Sequence, residues 1–501
     1  MPRLGHQWLA SLASLASLSL VGMAAGSAAL AACSAGDPAG ADLVKEAPPA
    51  PVGTSSGGTA TGSAPTFHKD VEPILQRRCQ QCHTKGGLAP FELVTFADAR
   101  AMAPAMVSET AARRMPPWGA QDTAECKPKL PWDHDERLTE VELKTLADWD
   151  LAGAPEGDPT SAPPPRAIEK LELQGVTDTL RPRTPFTASG DQDQFRCFVL
   201  DHPYPAGIFV TGIHVVPGNT KVVHHAVVFT DPSGAFAARA GADGSFDCSS
   251  SAMMNNGGGG LTAGTDSITL DVWAPGITPV DLPSNIAIPL VPNAKLIMQI
   301  HYSPGGQTAA PDLTKVQLRT SATKPEYMLF TTAVGNAPGQ VAATGDGLLP
   351  GPGDPSSTPV FEIPKNVHDH VERMQFTMPA KAAGSENQKI WIYGVMAHQH
   401  LAGIDVKVDL ERGADSQCLL QDKWDFHWQR MYTYAAPVEK LQTLEPGDKI
   451  KLRCTYDNSM ANRRLGPELK RRGLSPIDIR LGEQTLDEMC LVIPQLLVKV
   501  P

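Results

Sequence analysis

Short amphipathic helical patterns occur between residues 66 and 160 of the chain. The stretch from Asp70 to Leu75 opens one helix, and Leu138 opens another that runs to Leu151. Gly153 and Pro155 follow directly and end the second helix. We therefore expect a small all-α domain over residues 66–160, followed by a stiff Pro-rich linker at residues 161–169.

From residue 170 onward the hydrophobic pattern changes to short β-branched runs separated by Pro, Gly, Asn and Asp turns. The clearest runs are 208–210, 222–229, 296–300 and 491–500. This spacing is typical of antiparallel β-sandwiches of the jelly-roll kind. The region is too long for one comfortable sandwich, so we expect two, at residues 170–312 and 313–501.

The N-terminal residues are typical of an exported lipoprotein. Arg3 precedes an Ala/Ser/Leu-rich stretch that ends in Leu-Ala-Ala-Cys at residues 30–33. We interpret residues 1–32 as a signal peptide, Cys33 as the lipidated N-terminus and residues 33–65 as a flexible linker. An uncleaved membrane anchor is the alternative. Both interpretations place the protein in the cell envelope, and we expect a lipid anchor to hold it at the membrane.

The chain is acidic, with a formal net charge of −11, and loss of Arg3 with the signal peptide makes it more negative. An excess of acidic over basic residues disfavours nucleic-acid binding.

Residues 79–83 read Cys-Gln-Gln-Cys-His, the attachment pattern of a c-type haem. Cys79 and Cys82 would form thioethers, and His83 would ligate the iron. A disulfide or half of a zinc site is the alternative, but no second pair of zinc ligands occurs before Cys126. The surrounding pattern resembles small cytochrome c domains, with a looping middle between two helices.

The resemblance to cytochrome c implies a thioether as the sixth iron ligand. We assign Met115, which precedes Pro116 in a constrained loop. Met102 and Met106 are the competitors, although their helical spacing favours a packing role.

Four elements of the β region carry metal-ligating side chains. They are the pair His224 and His225, the single His301, the His-x-His pair His398 and His400, and Met489. Residues two apart share a face of a strand, so the His-x-His pair can converge on one metal. The adjacent histidines would need a twist or bulge in their strand before both could bind the same metal. Imidazole and thioether ligands together suit copper, and the thioether selects Cu(I).

This ordered set resembles the copper type II ascorbate-dependent monooxygenases, the family of the peptidylglycine alpha-hydroxylating and dopamine beta-monooxygenases, over about residues 170–500. The resemblance implies two copper ions, one in each sandwich. His224, His225 and His301 would hold the electron-transfer copper. His398, His400 and Met489 would hold the oxygen-binding copper and carry the catalysis. A second His-x-His pair, His368 and His370, lies among charged residues and is interpreted as a solvated face.

The resemblance also implies a function, the hydroxylation of an aliphatic carbon–hydrogen bond of a small organic substrate with O2. The fused haem, supplied by an upstream electron donor, would pass electrons to the His224/His225/His301 copper and replace or supplement ascorbate. A non-catalytic haem–copper electron carrier or a copper-binding lipoprotein is the alternative. The family positions that recognise a peptide carboxylate are Met396 and Ile493 here, so peptide amidation is disfavoured.

The cysteines outside the lipidation and haem motifs number six, which allows fifteen pairings by count alone. The resemblance favours two disulfides, Cys197–Cys248 and Cys454–Cys490. Cys126 and Cys418 are then left, and a bond between them would tie the haem domain to the second sandwich.

Overall fold

The computed structural model describes most of the chain that follows the predicted linker. The described ranges are residues 63–87, 89–166, 172–201, 204–248, 267–275, 277–306, 308–336, 345–351, 354, 358–379, 388–482 and 484–500. The predicted signal peptide, Cys33 and the linker up to residue 62 lie outside these ranges. Within them, no helix combines the length and apolar character needed to cross a membrane.

Three α-helices build the N-terminal part: α1 (Glu72–Arg78), α2 (Phe96–Ala111) and α3 (Glu140–Leu151). A π-helical turn at Phe67–Val71 leads into α1. Thr95 and Thr139 start α2 and α3 through capping boxes with Asp98 and Glu142. α3 ends at Leu151 as predicted. α2 lies in the expected looping middle, where only the helical spacing of Met102 and Met106 indicated a helix.

The β region begins with twelve described strands that run up to residue 335. They are β1 (Asp178–Leu180), β2 (Gln194–Leu200), β3 (Phe209–Val216), β4 (Val223–Asp231), β5 (Ser245–Asp247), β6 (Thr269–Trp273), β7 (Val280–Asp281), β8 (Ile286–Pro289), β9 (Lys295–Tyr302), β10 (Lys315–Ser321), β11 (Tyr327–Thr331) and β12 (Val334–Gly335).

The remaining described strands run to the C-terminus and enclose a fourth α-helix, α4 (Leu465–Arg472). They are β13 (Gly347–Leu349), β14 (Glu362–Ile363), β15 (His370–Thr377), β16 (Ile390–His398), β17 (Gly403–Arg412), β18 (Asp415–Asp422), β19 (Tyr432–Thr433), β20 (Thr443–Leu444), β21 (Lys449–Tyr456), β22 (Ile479–Arg480) and β23 (Leu491–Lys499). The four hydrophobic runs named above fall in β3, β4, β9 and β23, which confirms those strands.

The described strands form mainly antiparallel sheets, consistent with β-sandwich domains. The largest network orders its strands β1-β10-β3-β8-β11-β6-β4-β9-β2-β5, and β23 joins it through β11. A second sheet has the order β13-β15-β21-β17-β18. β10 lies beyond the predicted boundary at residue 312 yet pairs with β1 and β3, and β23 pairs with both β11 and β16. Strands from the two halves therefore share one hydrogen-bonded network.

Three disulfides link the described residues: Cys197–Cys248, Cys454–Cys490 and Cys126–Cys418. The first two are the pairings that the family resemblance favoured. The third joins the residues left over, 292 positions apart in sequence, and so ties the helical part to β18. Cys79 and Cys82 are free thiols.

Residues 118–136, which we call the docking segment, lie on the second half of the β region. Ala120 and Trp132 form single β-bridges with Asp422 and Tyr434, and the indole of Trp132 stacks on the Tyr434 ring at 4.8 Å. The Gly119 N–H donates to the Tyr432 hydroxyl at 2.9 Å. Trp118 and Trp132 are buried within the large hydrophobic core. The helical part is thereby packed against the sheets as well as disulfide-bonded to them.

The docking segment also covers Asp422, the last residue of β18, and this predicts a pH-dependent stability. Burial, with the nearby Asp405 and Asp425, raises the pKa of Asp422 to about 8. The folded state therefore holds this proton more tightly than the unfolded state. The stability that the protonated group contributes is complete below the unfolded pKa of about 3.9 and is lost as the pH rises through about 8.

We expect Asp422→Asn to remove this loss, so that the melting temperature of the variant minus that of the parent increases between about pH 5 and about pH 9. Thermal unfolding of both proteins at a series of pH values measures this difference in melting temperature. Asp415→Asn, at the exposed first residue of the same strand, is the matched control and should give a flat difference. A flat difference for Asp422→Asn as well would contradict the prediction.

Candidate metal centre

His224, His225 and His301 form the described cluster best suited to hold a metal ion. One ring nitrogen from each lies within 4.8 Å of the others. His301 is on β9, and the pair is on β4, where the register with β9 shifts between Val223 and His225. That irregularity is the bulge that the adjacent histidines required, because it turns both rings to the same side.

The Nδ1 atoms of the three rings converge. Nδ1 of His225 lies 3.2 Å from Nδ1 of His224 and 3.3 Å from Nδ1 of His301. Burial lowers the pKa of His224 and His225 well below the usual value, so the rings are neutral and offer lone pairs. Three imidazole nitrogens that face one another at these distances form a set of donors that suits a copper ion.

A buried carboxylate orients the third ring of this cluster. Nε2 of His301 lies 3.5 Å from Oδ2 of Asp193, and both side chains are almost fully buried. The same oxygen accepts the Thr485 N–H at 3.1 Å. The carboxylate thus faces the outer nitrogen of the ring, and Nδ1 faces the other two histidines. Asp193 also joins this cluster to the loop that carries Met489.

His398 and His400 lie close together, with ring centroids 5.3 Å apart and planes perpendicular. Burial lowers the pKa of His398 to about 4 and that of His400 to about 3. The Nδ1 atom of His398 lies 2.9 Å from Oε1 of Gln429, and Nδ1 of His400 lies 3.1 Å from the Asp487 carbonyl oxygen. Each Nδ1–H is thus donated outward, which leaves both Nε2 lone pairs for a metal.

We expected the pleat of a strand to bring the rings of His398 and His400 together, and this expectation was wrong. β16 ends at His398, so His400 lies beyond the strand and the pleat cannot align the two rings. The Glu488 carboxylate holds the turn instead. Its Oε2 accepts the N–H groups of His400 and Met489 at 2.8 and 3.1 Å, and its Oε1 accepts those of Ala402 and Gly403 at 2.7 and 3.0 Å. Glu488 is completely buried.

Met489 lies in the same loop and is fixed from both sides. Its carbonyl oxygen accepts the Tyr456 hydroxyl at 2.8 Å, and the next residue, Cys490, is bonded to Cys454. The side chain is 8% exposed. The loop therefore holds the predicted thioether ligand one residue from the carboxylate that organises His400.

The two sets of ligands face each other across the junction of the two halves. The ring centroids of His225 and His398 are 6.1 Å apart. Phe426 stacks on His224 at 4.3 Å and approaches His400 at 6.1 Å. The structure therefore gathers all five predicted histidines into a single neighbourhood.

The competing histidines lie in another environment. His368 pairs with Asp457 and His370 with Glu372, and the side chain of His368 is 58% exposed. Sequence reasoning did not find the roles of Asp193, Gln429 and Glu488. Glu488 directly precedes Met489 in the sequence, but its four N–H partners follow only from the folded chain.

The haem motif follows α1 directly. His83 lies 3.1 Å through Nδ1 from the Phe91 carbonyl oxygen, so the Nδ1–H is donated there and Nε2 remains available to an iron. Met106 belongs to the small core of the helical part, and Met102 packs against it. Met115 lies outside that core, half-buried at the end of the loop that follows α2. These residues fit a covalent haem by the chemistry of their donors.

This fold and site define a class of protein: a β-sandwich protein with a histidine-rich candidate metal site. Residues 358–493 match the model of the copper type II ascorbate-dependent monooxygenase C-terminal domain, so this part of the chain is similar to that family. That range includes β16 with His398, the turn with His400, and the Met489 loop. The match supports copper binding and a monooxygenase-like function in general terms.

No curated protein matched the sequence. Among solved structures, the major capsid protein P2 of bacteriophage PM2 is 9% identical with a TM-score of 0.23, over 65% of this chain and 98% of that one. A Paenibacillus xanthan lyase is 11% identical with a TM-score of 0.16, over 68% of this chain and 28% of that one. Structural similarities this weak give no information about function.

Proposed function

We propose that this protein is a copper-dependent monooxygenase that hydroxylates an aliphatic carbon–hydrogen bond with O2. Copper bound by the two ligand sets would supply the electrons and the oxygen activation. The observation that carries the proposal is the pairing of a three-imidazole cluster with a second cluster, His398 and His400, beside the Met489 loop. A thioether suits the Cu(I) form that must react with O2.

The protein's own residues would hold the ligands in their reactive form. Gln429 and the Asp487 carbonyl fix the rings of His398 and His400 with Nε2 directed away from their hydrogen bonds. Glu488 fixes the turn, and Asp193 fixes His301. Outer hydrogen bonds of this kind keep the ligands neutral and oriented before the metal binds.

The helical part would carry a covalent haem on Cys79 and Cys82, with His83 and Met115 as axial ligands. This haem would receive electrons from an upstream donor and deliver them to copper, either in place of ascorbate or together with it. Two free thiols beside a histidine whose Nδ1–H is already donated support this proposal. Lipidation at Cys33 would hold the protein in the cell envelope.

A small neutral or apolar substrate is proposed. Met396 and Ile493, at the positions that the family uses for a peptide carboxylate, are cross-strand partners on β16 and β23. Both side chains are buried and apolar, with exposures of 0% and 3%. Neither can donate to a carboxylate, so a charged peptide terminus has no partner there.

An electron relay without catalysis is the second candidate. The 6.1 Å separation of the His225 and His398 rings favours it, because electrons would pass readily between two ligand sets in such proximity. Substrate-dependent consumption of O2 distinguishes the two functions, since a relay consumes none.

Metal and haem analysis of the purified protein tests the proposed cofactors. We expect two coppers and one haem per chain. His224→Ala should remove one copper and leave the haem and the other copper in place, because the two ligand sets come from different strands. A parent protein that binds zinc in preference, or that carries no haem, would contradict the proposal.

A further inference from the structure

A continuous series of contacts connects the haem motif with the docking segment. Arg78, the residue before Cys79, donates from Nη1 to the Asp135 carbonyl oxygen at 2.9 Å. Asp135 is joined by a peptide bond to Glu136. Burial raises the pKa of the Cys82 thiol, and the nearby charges of Glu136 and Arg430 act on the same thiol in opposite directions. The motif thus lies against the C-terminal end of the docking segment.

Arg430 receives the docking segment on the second half of the β region. Its Nη2 donates to Oε2 of Glu136 at 3.2 Å, and its guanidinium lies 5.0 Å from the ring centroid of Trp118. Trp118 in turn packs edge-on against Tyr432 at 5.1 Å. The side chain of Arg430 is 19% exposed and that of Glu136 is 41% exposed, so this ion pair is only partly sheltered from water.

The residue before Arg430 reaches the metal centre. Gln429 is 3% exposed, and its Oε1 lies 2.9 Å from Nδ1 of His398. Its Nε2 donates to the Phe426 carbonyl oxygen at 3.2 Å, which fixes the amide orientation. One peptide bond and one hydrogen bond therefore separate Arg430 from a predicted copper ligand.

We infer that electrons from the haem enter the metal centre at His398, through Arg430 and Gln429, and not at the His224/His225/His301 set. This inference rests on the proposed function, and it replaces the expected entry at the three-histidine copper. With haem and copper bound, the step would move one electron from ferrous haem to cupric ion, with no bond made or broken. An electron that reaches His398 would meet the three-histidine set next, because the ring centroids of His225 and His398 are 6.1 Å apart.

Proteins with a single occupied copper set test the point of entry. In anaerobic rapid mixing, haem is first reduced and then followed optically as Cu(II) oxidises it. His224→Ala, loaded at the His398 set alone, should oxidise the haem within about twofold of the parent rate, whereas His400→Ala, loaded at the other set alone, should be at least about tenfold slower. The opposite order, or equal rates, would overturn the inference.

Variants of the connecting residues test the route without touching a metal ligand. Arg430→Gln and Gln429→Leu should slow oxidation of the haem by about tenfold to hundredfold, the usual range for partners of a ligand. Arg453→Gln is the matched control, because Arg453 pairs with Glu125 of the same docking segment but lies on another strand, β21. It should change the rate by less than about twofold. Equal effects of Arg430→Gln and Arg453→Gln would show general loosening of the segment and would overturn the inference.

The Cys126–Cys418 disulfide keeps the docking segment attached in all of these variants. Haem and copper contents are measured on each sample first. Absence of haem or copper in the parent protein defeats the proposed function and this inference with it. Full cofactor content with the wrong order of rates defeats the inference alone, because the measurement requires neither substrate nor O2.

Discussion

Glu488→Gln is expected to lower the free energy of unfolding by about 3 kcal/mol and to weaken copper binding at His398 and His400. Each carboxylate oxygen accepts two backbone N–H groups, from His400 and Met489 at one oxygen and from Ala402 and Gly403 at the other. The glutamine amide can be oriented in two ways, and in both its NH2 group faces one of the two pairs of backbone N–H groups. Two buried N–H donors would then lose their acceptor.

Denaturant unfolding and copper titration measure the two effects of Glu488→Gln. Glu411→Gln is the matched control, because Glu411 pairs with Lys451 in a partly exposed ion pair and its loss should cost less than about 1 kcal/mol. Equal unfolding midpoints for the parent protein and Glu488→Gln would show that this carboxylate does not organise the loop.

Met489→Ile should abolish oxygen-dependent product formation, a loss of at least about hundredfold, while the haem remains reducible and the His224/His225/His301 set keeps its copper. Isoleucine has a similar volume, so the packing cost is about 1.5 kcal/mol or less. The change removes the thioether that would favour Cu(I) at the second set. Product analysis, copper content and the haem spectrum together measure the outcome.

Met374→Ile controls for the loss of a buried methionine in the same half of the protein. Met374 is fully buried on β15 and is not among the predicted ligands. It should keep product formation within about twofold of the parent protein. Full activity of Met489→Ile would show that the thioether is not needed for the reaction and would favour a site built from histidines alone.

Local patterns gave much of the secondary structure. The end of α3 and the strands β3, β4, β9 and β23 follow from hydrophobic runs and the residues that interrupt them. The extent of α2 was missed because its sequence has little amphipathic contrast, and its start depends on the Thr95 capping box. The boundary near residue 312 was drawn from length, whereas β10 pairs across it with β3, a contact between residues far apart in sequence.

The predicted metal ligands could be named from the sequence, but the residues that hold them in place could not. The spacing of His224 and His225 required a bulge, and β4 has one. The spacing of His398 and His400 suggested a strand face, yet the Glu488 carboxylate holds the pair from a loop 88 residues away. Asp193 and Gln429 act on histidines of other segments. Such contacts are set by the folded topology and leave no local pattern.

Exposure of the fully reduced, copper-loaded protein to isotopically labelled O2 tests the central claim most directly. The reaction is run with a mixture of small neutral compounds that carry aliphatic carbon–hydrogen bonds, and the products are analysed by mass spectrometry. We predict a hydroxylated product that carries one labelled oxygen atom and that is absent with Met489→Ile. Reoxidation of the haem and copper with the label found only in water or peroxide, and in no organic product, would contradict the claim.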